Sequence, residues 1–476
     1  GGGIISLNPV TSHALYPLFS LNGNHQKKLK KGFGMDFAGI FYPEANKFNV
    51  AKDGYQFSGI DIKQPPGSEL LISAHKSGEK EALVMAFMVR KGKGRAVFLN
   101  NLDAGSRYFT GMLAQLLIHA LDTAAVPLFA IRTLFVDDCP LPMWNREVEG
   151  EEKTDTEFYL KDFFEEIVSL SDRFKIKPSF FAVFSYDDRV EPPFDFTQFQ
   201  IGKDNASLEL AGKIMDHGFE LGLHGYNHLS LALSGGVSKP WKSGESMEKA
   251  LLSVRKYWTE RFGGGNLPVV YVAPNNYIDA AGKKAIKNAI PEIRVISALM
   301  NGDENETSQD IGFDSEEPHF FNLPRTSAGY MLGGEQKLSL INGIMLAGFW
   351  THFIHPDDAY DPARSQKFKW KDLIASFRKV FEDVEKSYPF LRAMTARDAF
   401  YEAMKISDTG FNFKSSAKKI GYEITPGTES PFFMLLKIPA GSKIKKTEGF
   451  EKISYNMKSG YMFVKTIGHR GSVLYD

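Results

Sequence analysis

Three short segments gather residue types able to hold a cation and move protons, and each begins where an apolar run stops. The first is Leu134-Phe135-Val136-Asp137-Asp138-Cys139-Pro140. Two adjacent carboxylates at the end of an apolar strand repel each other, and a bound cation relieves the repulsion. A lone Asp-Asp pair is also a common turn or helix cap. The second is Glu220-Leu221-Gly222-Leu223-His224-Gly225-Tyr226-Asn227-His228. Histidines four apart can offer both imidazoles to one metal. With one carboxylate they make a set that keeps coordination positions open, which is the catalytic rather than the structural pattern. Taken alone, the pair reads more readily as two unrelated polar histidines. The third is Trp350-Thr351-His352-Phe353-Ile354-His355-Pro356-Asp357-Asp358. Its histidines can cap a strand, or one can act as general acid toward a leaving group.

The elements around these segments place them together. From Pro127 onward the pattern alternates strand and helix. Strands are expected at Leu128–Val136, Pro178–Phe184, Phe219–Leu223, Val269–Val272, Ile293–Ile296, Ile341–Phe349 and Leu391–Met394. Helices are expected at Thr156–Phe174, Ser207–His217, Ser246–Phe262, Asp279–Ala289, Trp370–Ser387 and Ala396–Met404. This rhythm suits a (β/α) barrel over residues 128–407. In a barrel, loops after the strands share one rim, so the two carboxylates and the pair His224 and His228 would converge there. The irregular stretches Ser185–Asn205 and Leu229–Glu245 also follow strand ends.

Residues 1–127 read as a mixed unit. Short strands are expected around Gly39–Phe41, Tyr55–Ile62, Glu69–Ser73, Ala82–Val89 and Arg95–Asn100, followed by a helix over Arg107–Leu121. Its end looks like a flavodoxin-like or amidotransferase-like α/β domain, and no nucleophile marks it as catalytic. The opening Gly1-Gly2-Gly3-Ile4 has no signal-peptide pattern, and this domain is expected to lack its natural beginning. Residues 408–476 alternate short strands with Gly, Lys and Ser turns, as a small β-sandwich does.

Composition narrows the function classes. Lys+Arg and Asp+Glu are 57 each in 476 residues, so there is no basic surplus for nucleic acid or for an anionic membrane surface. No apolar window is long enough for a transmembrane helix. The single cysteine, Cys139, excludes an intrachain disulfide and any multi-cysteine metal site. It reads as a small buried residue in a tight turn more readily than as a soft ligand. Nothing in the sequence speaks to oligomeric state.

Asp-Asp after the first barrel strand, His-x-x-x-His after a later one, and a late strand-end histidine resemble the polysaccharide deacetylase superfamily. These are the nodulation-factor deacetylase-like enzymes, also grouped as carbohydrate esterase family 4. The resemblance covers about residues 131–405, including Tyr388-Pro389-Phe390-Leu391-Arg392-Ala393-Met394-Thr395. It implies a (β/α)7-type barrel, here with an N-terminal α/β domain and a C-terminal β-sandwich. It implies Asp138, His224 and His228 as ligands of Zn²⁺ or another divalent cation such as Co²⁺ or Ni²⁺. Asp137 would be the catalytic base, and His355, ahead of His352, the general acid. It also implies a polysaccharide or amino-sugar substrate and a place outside the cytoplasm.

Two departures stand out. Cys139-Pro140 follows the aspartates where the family has Gly, and the stretch Val272-Ala273-Pro274-Asn275-Asn276-Tyr277 lacks the family's arginine. Arg132 and Arg325 are the candidate replacements. Tyr226, Pro274, Asn275, Tyr277 and Trp350 are substrate candidates in strand-end loops, with Trp144, Tyr186 and Trp241 as further rings for sugar stacking. Other carbon–nitrogen or glycosidic hydrolysis, and carbohydrate binding by a decayed barrel, are the alternatives. A glycosidase needs two placed carboxylates, such as Asp137 with Asp357 or Asp358.

Overall fold

The structure is a computed structural model and describes residues 3–6, 17–21, 29–37, 56–76, 80–100, 107–148, 153–200, 205–425 and 431–476. The expected strand at Gly39–Phe41 lies outside the described residues, as do Tyr55 and Gly1-Gly2.

Short apolar runs become the parallel strands at the centre of the molecule. Ile131–Val136, Pro178–Ala182, Glu220–Leu223, Val270–Val272 and Val295–Ser297 lie side by side in that order, every pair parallel. Layers on both faces bury them, which is why all six residues of Ile131–Val136 are buried. The sheet then curls. Phe321–Asn322 pairs with Val295–Ser297, and the same stretch of chain continues to Ser327–Ala328, which pairs with Phe349–Ile354. Phe349–Ile354 pairs in turn with Ile131–Val136. Between the two short strands, Arg325 N–H donates to Ala298 and Thr326 N–H to Thr351. One segment thereby joins both edges of the parallel ladder.

Helices cover the outside. Asp155–Glu157 starts under a Thr154–Glu157 capping box and continues without a break to Phe174. Ala206–Asp216, Gly244–Phe262, Ala280–Ala289, Trp370–Ser387 and Ala396–Ser407 lie close to their expected positions. One expectation is corrected. Ile341–Ala347 is the second half of the helix Gly334–Ala347, and the strand begins at Phe349. Leu338 to Met345 are buried without interruption, so the helix has no polar face to reveal its period. Gly348, at φ 71°, ends it in the left-handed conformation.

The N-terminal sheet is also corrected. Among the described residues, four of its five pairings are antiparallel and only Gly3–Ser6 with Gly94–Leu99 is parallel, whereas a flavodoxin-like sheet is mostly parallel. The reason is local: two residues link Ala82–Lys91 to Gly94–Leu99, and so short a link makes a hairpin. Its helix Thr110–Ala120 packs on Gly334–Ala347, where Gly111 N–H donates to Asn342 Oδ1 at 2.6 Å.

The C-terminal residues form two packed four-stranded antiparallel sheets. One holds Phe411–Ser416, Lys419–Ile424, Ile444–Glu448 and Arg470–Tyr475. The other holds Phe433–Lys437, Phe450–Asn456 and Tyr461–Thr466, completed by Ala124–Leu128 from the other end of the barrel sequence. Ile420, Tyr422, Met434, Leu436 and Met462 fill the space between them. Among the described residues, no helix is long and apolar enough to cross a membrane.

Candidate metal centre

The carboxylates and imidazoles meet at the ends of the parallel strands. Asp138 follows Ile131–Val136 in a left-handed conformation, φ 51°, which aspartate tolerates better than most residues. Its Oδ1 lies 3.7 Å from His224 Nε2 and 3.4 Å from His228 Nε2. One ligand atom from each of the three residues lies within 4.8 Å of the others. His224 continues Glu220–Leu223, and its Nδ1 donates to Val272 O at 2.8 Å, which leaves Nε2 facing the cluster. Burial, against the pull of Asp138 and Asp137, lowers the His224 pKa to about 4 and keeps the ring neutral, as a ligand must be. His228 reaches back through its own left-handed residue, φ 54°.

The donor set fits a divalent cation. Asp138 Oδ1 and Asp137 Oδ1 are buried with no hydrogen-bond partner. Such orphaned acceptors are costly, and a cation satisfies them. Two imidazoles and a carboxylate suit zinc and its neighbours. Cys139 is buried and takes no part in the cluster; burial first, then Asp138, pushes its thiol pKa up.

Asp137 faces the same cleft and is 1% exposed. Arg325 Nη1 donates to Asp137 Oδ2, and Arg325 Nη2 donates to Asn276 Oδ1. Arg325 is itself buried, with its guanidinium 4.1 Å from the Phe353 ring centroid. The arginine absent at Val272 therefore has a counterpart arriving from another strand. Arg132 does not reach: its Nη2 donates to Phe174 O, near Glu385.

His355 Nε2 lies 4.0 Å from Asp137 Oδ2, and Nδ1 lies 3.4 Å from Asp358 Oδ1. Burial opposes its charge, but the Asp358 hydrogen bond and the charges of Asp358, Asp137 and Asp138 outweigh it and raise its pKa to about 9. His352 differs. It is fully buried, with Nδ1 2.8 Å from Ser327 Oγ and Nε2 2.8 Å from Gly329 O. Burial lowers its pKa to about 4. Neither nitrogen is available to a substrate, because strand alternation turns this side chain outward under the helices while His355 clears the strand end.

Several substrate candidates are placed elsewhere. Trp350 is buried, donates to Ser327 Oγ at 2.8 Å and packs on Phe381. Tyr226 is 1% exposed and its hydroxyl donates to Asp195 O. Trp241 is in the same core. Pro274 is buried and supports the Gly225 turn. Tyr277 is half-buried against Gly235 and Gly236. Asn275 lines the cleft, and its Nδ2 donates to His228 O. Tyr186 lies beside the cluster, its ring tilted against those of His228 and Trp144 with centroids 5.8 Å and 6.0 Å away. Asn276 and Asp358 were not singled out for the roles they take here, holding Arg325 and His355. Both stand beside quoted residues, but only the assembled loops show what they face.

The cleft of about 290 Å³ is lined by Asp137, Asp138, His224, His228, Arg325 and His355, with Val237, Asp303 and Glu306 toward its mouth. The sequence pattern of a family described as "Uncharacterised protein conserved in bacteria (DUF2194)" matches residues 40–460. The chain belongs to this family. No curated protein matches it by sequence. Its fold is similar to Agd3, described as a novel carbohydrate deacetylase, at 11% identity over 99% of this chain and 84% of that one, TM-score 0.47. It is also similar to a BA3943 mutant, a CE4 family pseudoenzyme with restored enzymatic activity, at 10% identity over 57% and 68%, TM-score 0.31. A cyclic α-maltosyl-(1→6)-maltose hydrolase from Arthrobacter globiformis matches at 10% identity over 73% and 99%, TM-score 0.31. At these identities and scores the likenesses carry no weight for function.

Proposed function

We propose that this chain is a metal-dependent hydrolase that removes an acyl group, acetyl in the first instance, from the nitrogen of an amino sugar in a glycan. The observation that carries the reading is the Asp138–His224–His228 cluster with two orphaned carboxylate oxygens, set between a buried Asp and a His held as a cation. A divalent cation such as Zn²⁺, Co²⁺ or Ni²⁺ held by these three residues supplies Lewis acidity toward an acyl oxygen and acidifies water. Asp137 accepts the proton of the attacking water. Arg325 fixes the Asp137 carboxylate, and Asn276 fixes Arg325. His355, oriented through Nδ1 by Asp358, donates its Nε2 proton to the departing nitrogen. We propose a site of action outside the cytoplasm, which the sequence resemblance implies.

The test is acetate release from an N-acetylglucosamine oligomer by the full chain loaded with each cation in turn. Release that is abolished by chelation and restored by one metal supports the reading. Release of reducing ends without acetate overturns it in favour of glycosidic cleavage, and a protein that binds no metal and releases neither overturns the enzymatic reading altogether.

A further inference from the structure

The metal cleft is not the largest cavity at this rim. Beyond His355 lies a second one of about 650 Å³, and His355, Phe353, Asn276 and Arg364 line both. Its size is in the range that encloses a whole small ligand. The two cavities therefore meet at the one side chain assigned to protonate the leaving nitrogen. The metal side is the smaller, and besides its carboxylates, imidazoles and Arg325 only Val237, Ala273 and Phe353 among its lining residues are apolar. The far side mixes Glu335, Gln336 and Gln366 with Tyr330, Met331 and Phe353, beside the backbone of Gly333 and Gly334.

Gln336 is the most telling group there. Its Oε1 accepts the Ala328 N–H at 2.7 Å, which fixes the amide, while its Nε2 has no partner among the described residues. Gln366 stands exposed at the rim of the same cavity. Amide groups beside two aromatic rings suit a ligand rich in hydroxyl groups, which donates and accepts at every ring position.

We infer that this second cavity holds the amine-bearing side of the substrate, one or more sugar rings, and that Gln336 and Gln366 determine specificity for them. The inference rests on the hydrolase reading above, because His355 assigns the sides: an acyl group at the metal leaves its nitrogen at His355 and the ring attached to that nitrogen beyond it. The cleft then takes a small acyl group and the cavity takes a large amine.

The experiment compares the hexamer of N-acetylglucosamine with 4-nitroacetanilide as acetyl donors, and titrates the fully deacetylated hexamer into the metal-free chain by calorimetry. The variants are Gln336→Glu, which keeps an acceptor for Ala328 N–H but removes the amide donors, and Gln366→Ala. The expected result is a hexamer preference that each variant reduces by about tenfold, the loss of about one hydrogen bond, through KM rather than kcat. Metal content should equal that of the parent. Acetate release with no hexamer preference, or with a preference both variants retain, overturns the cavity assignment and leaves the hydrolase reading standing. Absence of acetate from either donor, with hexamer binding that the variants weaken, overturns the hydrolase reading while supporting a glycan site in the cavity. A hexamer that does not bind and is not cleaved overturns both.

Discussion

At the residue scale, the division of labour follows from which polar atoms are already satisfied. His224 and His352 are both buried strand-end or strand histidines with pKa lowered to about 4 by burial, yet they differ in what their nitrogens meet. His224 has Nε2 free toward Asp138, whereas His352 spends both nitrogens on Ser327 and Gly329. His224→Ala is expected to abolish metal binding, read as metal per chain after dialysis. Asp137→Asn is expected to retain the metal and lower kcat by about 10²- to 10⁴-fold, the usual worth of a general base. His352 predicts a stability effect instead. Its folded pKa lies below the unfolded value, so its contribution is present above pH 6.5 and is lost as pH falls from there toward 4, by about 3 kcal/mol at most. Denaturant unfolding of His352→Gln across that window should show a shallower decline than the parent; an equal slope would remove His352 as the cause.

At the element scale, the segment from Phe321 to Ala328 does two things at once. It joins the edges of the parallel sheet, and it carries Arg325 into the cleft against Asp137. An arginine at the end of one strand can thus serve where another strand lacks it. Arg325→Met leaves Asp137 with His355, 4.0 Å away, as its remaining cationic side chain, so the cost is expected below the ~3–5 kcal/mol typical of a buried charge left unpaired. Lower thermal stability together with a lower kcat is expected. Arg325→Lys should recover more of the stability than of kcat, because a single ammonium cannot reach Asp137 and Asn276 together. The helix contact is equally tight: a Cβ at Gly111 would sit 2.1 Å from Asn342 O. Gly111→Val is expected to loosen the N-terminal sheet from the barrel, measured as proteolysis within residues 1–127 while metal content is unchanged.

At the scale of the whole molecule, the three parts are tied at the end of helix Thr110–Ala120. Lys437, from the C-terminal sandwich, is 4% exposed and donates to the His119 and Ile118 carbonyls, and its ammonium lies 5.6 Å from the Tyr461 ring centroid. His119 reaches Glu69 of the N-terminal sheet at 3.3 Å. Burial, with Arg95 adding to it, lowers the Lys437 pKa to about 7. A base depressed on folding binds fewer protons than the unfolded chain, so stability rises with pH above 7 toward the unfolded lysine value. Lys437→Met should flatten that rise between pH 7 and 9 in chemical unfolding followed by fluorescence, and an unchanged rise would assign it to other groups.

The sequence by itself determined the chemistry on offer: Asp137, Asp138, His224, His228 and His355 each follow an apolar run, because parallel strands are buried on both faces and their polar residues appear only where they end. It likewise marked the amphipathic helices, whose polar faces expose their period. Tertiary structure alone decided the rest. The helix Gly334–Ala347 is buried without a break from Leu338 to Met345 and has no such period there, so its second half reads as a strand until its neighbours surround it. That both His352 nitrogens are already spent depends on Ser327 and Gly329, which come from a different segment of the chain. The arginine beside Asp137 lies 188 residues away along the chain, and no local spacing connects the two. Local pattern reports what each segment must bury, whereas contacts between distant segments are set by how the curled sheet brings its strand ends to one rim.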